Sequence, residues 1–132
     1  MTVLTSKTLS VSIECPPRRV YEFVSNPENL PRWAAGLCRS VRRSAGDWIV
    51  ETPAGPMRIR FAGHNEFGVL DHYVSPAPGL EISVPMRVVP NVTGSEVTFT
   101  LFQLPEMSGE QYAEDIRLVE RDLGTLKHVL EE

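Results

Sequence analysis

The chain lacks the features that mark disulfide-rich, secreted, membrane-spanning and nucleic-acid-binding proteins. Its 132 residues include only two cysteines, Cys15 and Cys38, which we expect to be reduced and buried rather than paired. No run of about eighteen apolar residues is present, and residues 1–7 lack the apolar core of a signal peptide. The net charge is −4, and the Lys and Arg residues are scattered along the chain. We therefore expect a cytoplasmic protein with no nucleic-acid partner and no membrane insertion.

Motifs for cofactors and covalent chemistry are also missing. The chain has no Gly-rich phosphate loop, nucleophile elbow or recognisable Cys-His pair, which disfavours nucleotide cofactors and covalent catalysis. His64 and His128 have no second His, Cys or carboxylate at ligand spacing, so no metal site is predicted. Arg39, Arg42 and Arg43 form a small basic patch, which we interpret as a solvated strand edge rather than a contact for an acidic partner. We expect no cofactor.

What the chain does contain predicts a single domain over residues 1–132. Its hydrophobic content of 42% is enough for a core and, if the sheet is curved, for an internal pocket. Apolar and polar residues alternate over residues 4–14, which predicts a first strand. A Pro-Pro pair begins a short helix over residues 16–27, and residues 28–33 are interpreted as a second short helix or helical turn.

The remainder of the chain predicts a sheet and one long helix. After Gly36, Pro- and Gly-containing turns separate short alternating runs, which is typical of an antiparallel meander of about six strands. Residues 108–111, Ser-Gly-Glu-Gln, match a capping box. An apolar stripe then predicts a helix from about Ser108 to Leu130, about 33 Å long, which would cover the apolar face of the sheet.

The segment Pro16 to Trp33, PPRRVYEFVSNPENLPRW, and this order of elements resemble the polyketide cyclase and dehydrase group of the START-like (SRPBCC) superfamily. The superfamily shares the birch-pollen-allergen fold, and the resemblance covers nearly the whole chain. It implies an α+β helix-grip fold, in which a curved antiparallel sheet of about seven strands wraps a long C-terminal helix, with two short helices after the first strand. It also implies a mostly apolar cavity. Because members include lipid and hormone carriers and aromatic polyketide cyclases, the fold alone does not select a function.

If the chain has this fold, the inward set of alternating residues should line the cavity. A fully packed core is the alternative, because periodicity cannot reveal a void. The predicted ligand-binding residues are Ile59, Phe61, Val69, Ile82, Val84, Met86, Phe99, Leu101, Tyr112, Ile116 and Val119.

The run Asp71-His72-Tyr73 carries a carboxylate, an imidazole and a phenol, which suit acid-base chemistry on an enolisable or polyphenolic substrate. Neighbouring side chains on a strand point to opposite faces, so either Asp71 and Tyr73 or His72 enters the cavity. The residues that flank this run are apolar on both faces of the strand, so the sequence does not decide which face lines the cavity. We name Asp71, His72 and Tyr112 as candidate catalytic residues.

The predicted function is binding of a small hydrophobic molecule, of aromatic or polyketide-like type, for sequestration or transport. The alternative is a cofactor-independent polyketide cyclase, aromatase or dehydratase that acts in the same cavity. A third interpretation is a stress-related or interaction module with a filled core. Exposed strand edges would also allow a homodimer.

Overall fold

Strands and helices account for most of residues 3–132, the part of the chain that the computed structural model describes. Its strands are β1 (Ser6–Ile13), β2 (Ser40–Ser44), β3 (Asp47–Thr52), β4 (Gly55–Phe61), β5 (His72–Ala77), β6 (Leu80–Val84), β7 (Met86–Asn91) and β8 (Gly94–Phe102). Its α-helices are α1 (Pro17–Val24), α2 (Leu30–Trp33) and α3 (Gly109–Glu131), and a 3-10 turn (Pro27–Asn29) joins α1 to α2.

The strands form two antiparallel sheets. The order is β2-β3-β4-β5-β6 in the larger sheet and β1-β8-β7 in the smaller one. A bridge between Val69 and Arg87 and a hydrogen bond from Leu70 N to Met86 O join the sheets. The predicted count of about seven strands differs by one because Pro85, which has no N–H for a ladder bond, separates β6 from β7.

The N-terminal elements follow their sequence signals. Ile13 of β1 is buried, and α1 begins at Pro17, where the missing N–H costs nothing. α1 and α2 bury Val20, Tyr21, Val24, Leu30 and Trp33. The prediction of two short helices after the first strand is confirmed.

The long helix α3 packs against β1 and α2 and closes the core. Ser108 caps it, since its Oγ accepts a hydrogen bond from Gln111 N at 3.0 Å. The Gln111 side chain donates to Asp115 Oδ1 at 2.9 Å instead of turning back towards the cap, so only half of the predicted capping box forms. The buried apolar residues of α3 are Tyr112, Val119, Leu123, Leu126 and Leu130.

The basic patch lies at the edge of the larger sheet, as interpreted. β2 is the edge strand, and Arg42 Nε lies 3.5 Å from Glu51 Oε2 on β3. The Arg43 guanidinium lies 5.0 Å from the centre of the Trp48 ring. These charges therefore protect an exposed edge from pairing with another strand.

One side chain, Asn65, holds the loop that leads into β5. Its Oδ1 accepts hydrogen bonds from Phe67 N at 2.9 Å and Val69 N at 3.0 Å, and its Nδ2 donates to Gly63 O and Val69 O, both at 3.0 Å. Its backbone N–H donates to the Tyr21 hydroxyl at 3.0 Å, which ties the loop to α1. Asn65 thereby sets the path of the chain as it enters β5.

Gly68 lets the same loop approach β7. Its φ of +73° lies in the left-handed region, and a Cβ at this position would collide with the carbonyl oxygen of Val88. The close approach is used, because Val88 N donates a hydrogen bond to Gly68 O at 2.9 Å.

Replacing Asn65 by Ala should destabilise the fold, because four side-chain hydrogen bonds within the loop are lost together. We expect the free energy of unfolding to fall by about 1–3 kcal/mol in urea denaturation. The matched control is Asn91→Ala, which removes one exposed hydrogen bond to Glu96 and should change stability by less than about 0.5 kcal/mol. Equal unfolding midpoints for the two variants would show that Asn65 does not organise the loop.

Candidate functional site

A pocket of about 430 Å³ lies between the sheet and the helices, and we call it the α3 pocket. Its volume lies within the range of roughly 300–1,000 Å³ that small-molecule sites occupy. The apolar side chains that border it include Leu30, Trp33, Ala34, Val50, Met57, Ile59, Val74, Phe99, Leu118 and Val119.

The α3 pocket reaches the surface beside α2. Leu37, Pro53 and Ala54 border it and are exposed, which places its mouth between the segment after α2 and the β3–β4 turn. Two other depressions, of about 510 and 550 Å³, are larger but differ in their walls. Basic as well as acidic side chains border both of them, among them Asp47, Arg58, Arg60 and Glu81 in one and Arg18, Glu22 and Glu66 in the other.

His72 supplies the polar group on the sheet wall of the α3 pocket. The side chain is 7% exposed and lies at the start of β5. Its ring centre lies 4.9 Å from that of Phe61 and 5.8 Å from that of Phe99. This aromatic packing fixes the plane of the imidazole.

The hydrogen bonding of His72 defines its tautomer. Nδ1 lies 3.1 Å from the carbonyl oxygen of Leu70, which can only accept, so Nδ1 carries the proton. Burial lowers the pKa of His72 below its ordinary value, against the opposing effects of the Leu70 carbonyl and of Asp71. At neutral pH the ring is therefore uncharged, and Nε2 presents a lone pair.

Asp71 lies on the opposite face of the sheet, as strand alternation requires. Its Oδ1 accepts hydrogen bonds from Met86 N at 2.9 Å and Arg87 Nε at 3.0 Å, and Oδ2 accepts from Arg87 Nη2 at 2.9 Å. The hydrogen bonds from Arg87 hold the pKa of the Asp71 carboxyl below its ordinary value. Tyr73 also faces outwards, and the Arg60 guanidinium lies over its ring. Of the three adjacent residues, His72 alone borders the α3 pocket.

Tyr112 connects the first turn of α3 to the sheet. Its hydroxyl donates a hydrogen bond to the carbonyl oxygen of Leu101 at 2.9 Å, and the residue is buried. It does not border the α3 pocket. The candidate catalytic residues Asp71, His72 and Tyr112 are thus placed apart, each with a different environment.

Ile59, Phe99 and Val119 are the predicted ligand-binding residues that border the α3 pocket. Met86 is fully buried, and Phe61 packs against the ring of His72. Both lie outside the pocket lining, as do the other predicted residues: Val69, Ile82, Val84, Leu101, Tyr112 and Ile116.

On α3, sequence reasoning identified Val119 but missed the other residues that border the pocket. These are Gln111, Asp115, Leu118 and Asp122, three or four residues apart, as one helix face requires. They lie next to the most apolar stripe, which packs into the core instead. These residues do recur at helical spacing in the sequence, but most of them are polar, so they resemble the solvated face of a helix.

Two further residues that border the α3 pocket carry buried polar groups. Asp122 is 4% exposed, and its Oδ1 lies 3.4 Å from Gly36 N, which donates to it. Burial raises the pKa of Asp122 to about 6, against the effects of the Gly36 N–H and of Arg121. Trp33 is 3% exposed, and its indole Nε1 has no hydrogen-bond partner within residues 3–132.

The remaining chemistry-bearing side chains are dispersed. Cys15 and Cys38 are free and buried, as predicted, and burial raises the pKa of the Cys38 thiol to about 11. His64 packs edge-on against Tyr21, and His128 Nε2 lies 3.4 Å from Glu132. Within residues 3–132, no three His, Cys, Asp or Glu side chains are grouped to hold a metal ion. No helix in that range is long and apolar enough to cross a membrane.

The variant Asp122→Asn tests the effect of burying this carboxyl. Because its pKa is about 6 when folded and 3.8 ordinarily, the folded protein holds a proton between these values that the unfolded chain releases. Wild-type stability should therefore be highest below about pH 4 and should fall as the pH rises to about 6, relative to the variant. We expect this fall in wild-type stability, measured relative to the variant, to be at most about 2–3 kcal/mol.

Urea unfolding of both proteins at pH 4 and pH 7.5 measures the difference. Subtracting the variant removes the contribution of His72, whose lowered pKa acts in the opposite direction. Asn retains an oxygen that accepts from Gly36 N, so the hydrogen bond is matched. Stability differences that are equal at the two pH values would contradict the burial effect.

The class of protein now follows from the fold. Antiparallel strands, here in two sheets, around a long C-terminal helix, with two short helices after the first strand, form the helix-grip arrangement. The chain belongs to the family described as polyketide cyclase / dehydrase and lipid transport, whose model matches residues 5–131. The predicted membership of the START-like superfamily is confirmed.

Solved structures share this fold at low sequence identity. The protein XoxI from Bacillus cereus has a TM-score of 0.77 and 18% identity, over 96% of this chain and 96% of that one. DynU16, a protein of the dynemicin biosynthetic locus, has a TM-score of 0.70 and 20% identity, over 96% of this chain and 47% of its own. Ara h 8.0201 has a TM-score of 0.67 and 12% identity, over 96% and 97%. No curated protein matches the chain significantly.

Proposed function

We propose that this protein binds a small hydrophobic molecule, of aromatic or polyketide-like type, in the α3 pocket. Binding serves sequestration or transport and needs no cofactor. The observation that carries the proposal is the pocket itself, with apolar walls and few polar groups between the sheet and α3. Walls of this kind bury a ligand, while isolated polar atoms orient it. Both cysteines are free thiols, which is typical of a reducing compartment such as the cytoplasm.

Burial of apolar surface supplies most of the expected affinity. A two-ring aromatic compound that buries about 200 Å² would gain roughly 5 kcal/mol at 25 cal/mol per Å². Taken alone, this gain corresponds to a dissociation constant of about 0.2 mM; hydrogen bonds and aromatic stacking would strengthen binding, and the entropy cost of association would weaken it. Binding is therefore expected in a range that fluorescence titration can measure.

The comparisons support this class of function. The family description combines polyketide cyclase, dehydrase and lipid transport, so it includes both polyketides and lipids. One structural neighbour, DynU16, belongs to a biosynthetic locus. Because the sequence identity of that neighbour is 20%, it supports the ligand class only through the shared fold.

A second candidate is a cyclase, aromatase or dehydratase that acts in the same pocket. It is favoured by His72, whose uncharged ring and free lone pair suit a general base. It is opposed by the positions of Asp71 and Tyr112, which are hydrogen-bonded to other groups outside the pocket. We favour the carrier because neither Asp71 nor Tyr112 borders the pocket, and within residues 3–132 no hydrogen bond or ion pair joins His72 to Asp122, the buried carboxyl that does border it.

A titration with N-phenyl-1-naphthylamine, a neutral dye that fluoresces in apolar surroundings, tests the proposal. The wild-type protein should give a saturable signal. Met57→Trp places a larger ring on the pocket wall, where Met57 is half-buried, and should weaken binding at least about tenfold, because the space for the dye is filled.

The matched control is Val89→Trp, which adds the same ring at an exposed position on β7, beside one of the charged depressions. This variant should bind the dye as the wild type does. The proposal is overturned if the wild type gives no saturable signal, or if Val89→Trp rather than Met57→Trp loses it.

A further inference from the structure

The Nε2 atom of His72 is an acceptor that the protein leaves without a donor. Nδ1 is used by the Leu70 carbonyl, and no group within residues 3–132 donates to Nε2. Nε2 is nevertheless not enclosed by protein atoms, in contrast to Trp33 Nε1. The residue is 7% exposed and borders the α3 pocket, so that pocket is the open space we identify beside its ring.

A buried acceptor of this kind constrains what occupies the pocket. An occupant without a donor would remove water from the lone pair and leave it unpaired, at a cost in affinity. An occupant with a hydroxyl at that end replaces the water with a direct hydrogen bond. The ligand is therefore expected to donate at the His72 end.

The shape of the wall around Nε2 favours a flat donor-bearing ring. Phe61 and Phe99 hold the imidazole, and the ring of Phe99 itself borders the pocket. Planar unsaturated groups pack on such rings better than branched chains do. A hydroxyl on a flat ring is a phenol or an enol, which is also a stronger donor than an aliphatic alcohol.

The charges that border the pocket exclude a second class of ligand. Asp115 and Asp122 border it, and no Lys or Arg of the described chain does so. Asp122 is in addition 4% exposed, where little water screens its charge. The Arg121 guanidinium lies beside Gly36 and Asp122 but does not border the pocket, so a carboxylate or sulfonate ligand would meet the Asp115 carboxylate and find no cation to pair with inside.

We infer that the α3 pocket selects uncharged molecules with a phenolic or enolic hydroxyl, which donates to Nε2 of His72, and rejects anionic ones. The inference rests on the proposed function and specifies its ligand class. In it His72 is a specificity-determining residue, and no proton needs to leave the ligand.

Competition against N-phenyl-1-naphthylamine at pH 7.5 tests the inference with three probes of one shape: 2-naphthol, 2-methylnaphthalene and 2-naphthoate. His72→Phe keeps an aromatic ring between Phe61 and Phe99 and removes the acceptor. The ratio of the dissociation constants of 2-methylnaphthalene and 2-naphthol should fall about three- to tenfold in this variant, because the hydroxyl loses its partner. 2-Naphthoate should bind the wild type at least about tenfold more weakly than 2-naphthol.

Tyr73→Phe is the matched control, since it alters the next residue along β5, on the outer face. The ratio of the dissociation constants of 2-methylnaphthalene and 2-naphthol should be the same in this variant as in the wild type. If His72→Phe does not fold, the wild-type protein still gives an answer by NMR of the imidazole nitrogens. The Nε2 resonance should move when 2-naphthol is added and should stay in place with 2-methylnaphthalene.

The failure of the inference differs from the failure of the proposed function. Binding of the dye and both neutral probes, with a ratio that His72→Phe leaves unchanged or with an Nε2 resonance that 2-naphthol does not move, overturns the inference alone. Equal binding of 2-naphthoate and 2-naphthol overturns the exclusion of anions. The absence of any saturable binding to the wild type overturns the proposed function as well.

Discussion

The bidentate pairing of Asp71 with Arg87, together with the hydrogen bond from Met86 N, holds the entry to β5 against β7, and the candidate site depends on it. Because side chains alternate along a strand, an outward Asp71 places His72 inside. A slip of one residue would exchange the two, giving a pocket with a buried carboxylate and an imidazole in solvent. Asn65 and Gly68 support the same register from the preceding loop.

A second constraint comes from the two neighbouring faces of α3. Its apolar stripe, which includes Leu123, Leu126 and Leu130, packs into the core and anchors the helix across the sheet. The adjacent face, with Asp115, Leu118 and Asp122, is left beside open volume, because short acidic side chains do not fill it. The same helix therefore both closes the core and keeps a pocket open, and its carboxyls set the charge of the pocket.

The sequence was sufficient for the helices and for most of the sheet because their signals are local. Proline at the start of α1, Ser108 at the cap of α3 and the alternation in β1 and β8 each act within a few residues. The face of β5 was not predictable, since Phe67, which is 82% exposed, and Leu70, which is buried, look alike in sequence. Their difference depends on Asn65 and on the approach of Gly68 to β7, which are contacts of the folded chain.

The central claim is that the α3 pocket of this helix-grip protein combines apolar walls with one uncharged acceptor, Nε2 of His72. The most direct test of this claim is a crystal structure of the wild-type protein with 2-naphthol at saturating concentration. We predict the naphthol ring between the sheet and α3, with its oxygen at hydrogen-bond distance from Nε2, about 2.7–3.2 Å. A ring that occupies one of the charged outer depressions, or a hydroxyl that points away from His72 towards the mouth, would contradict the account.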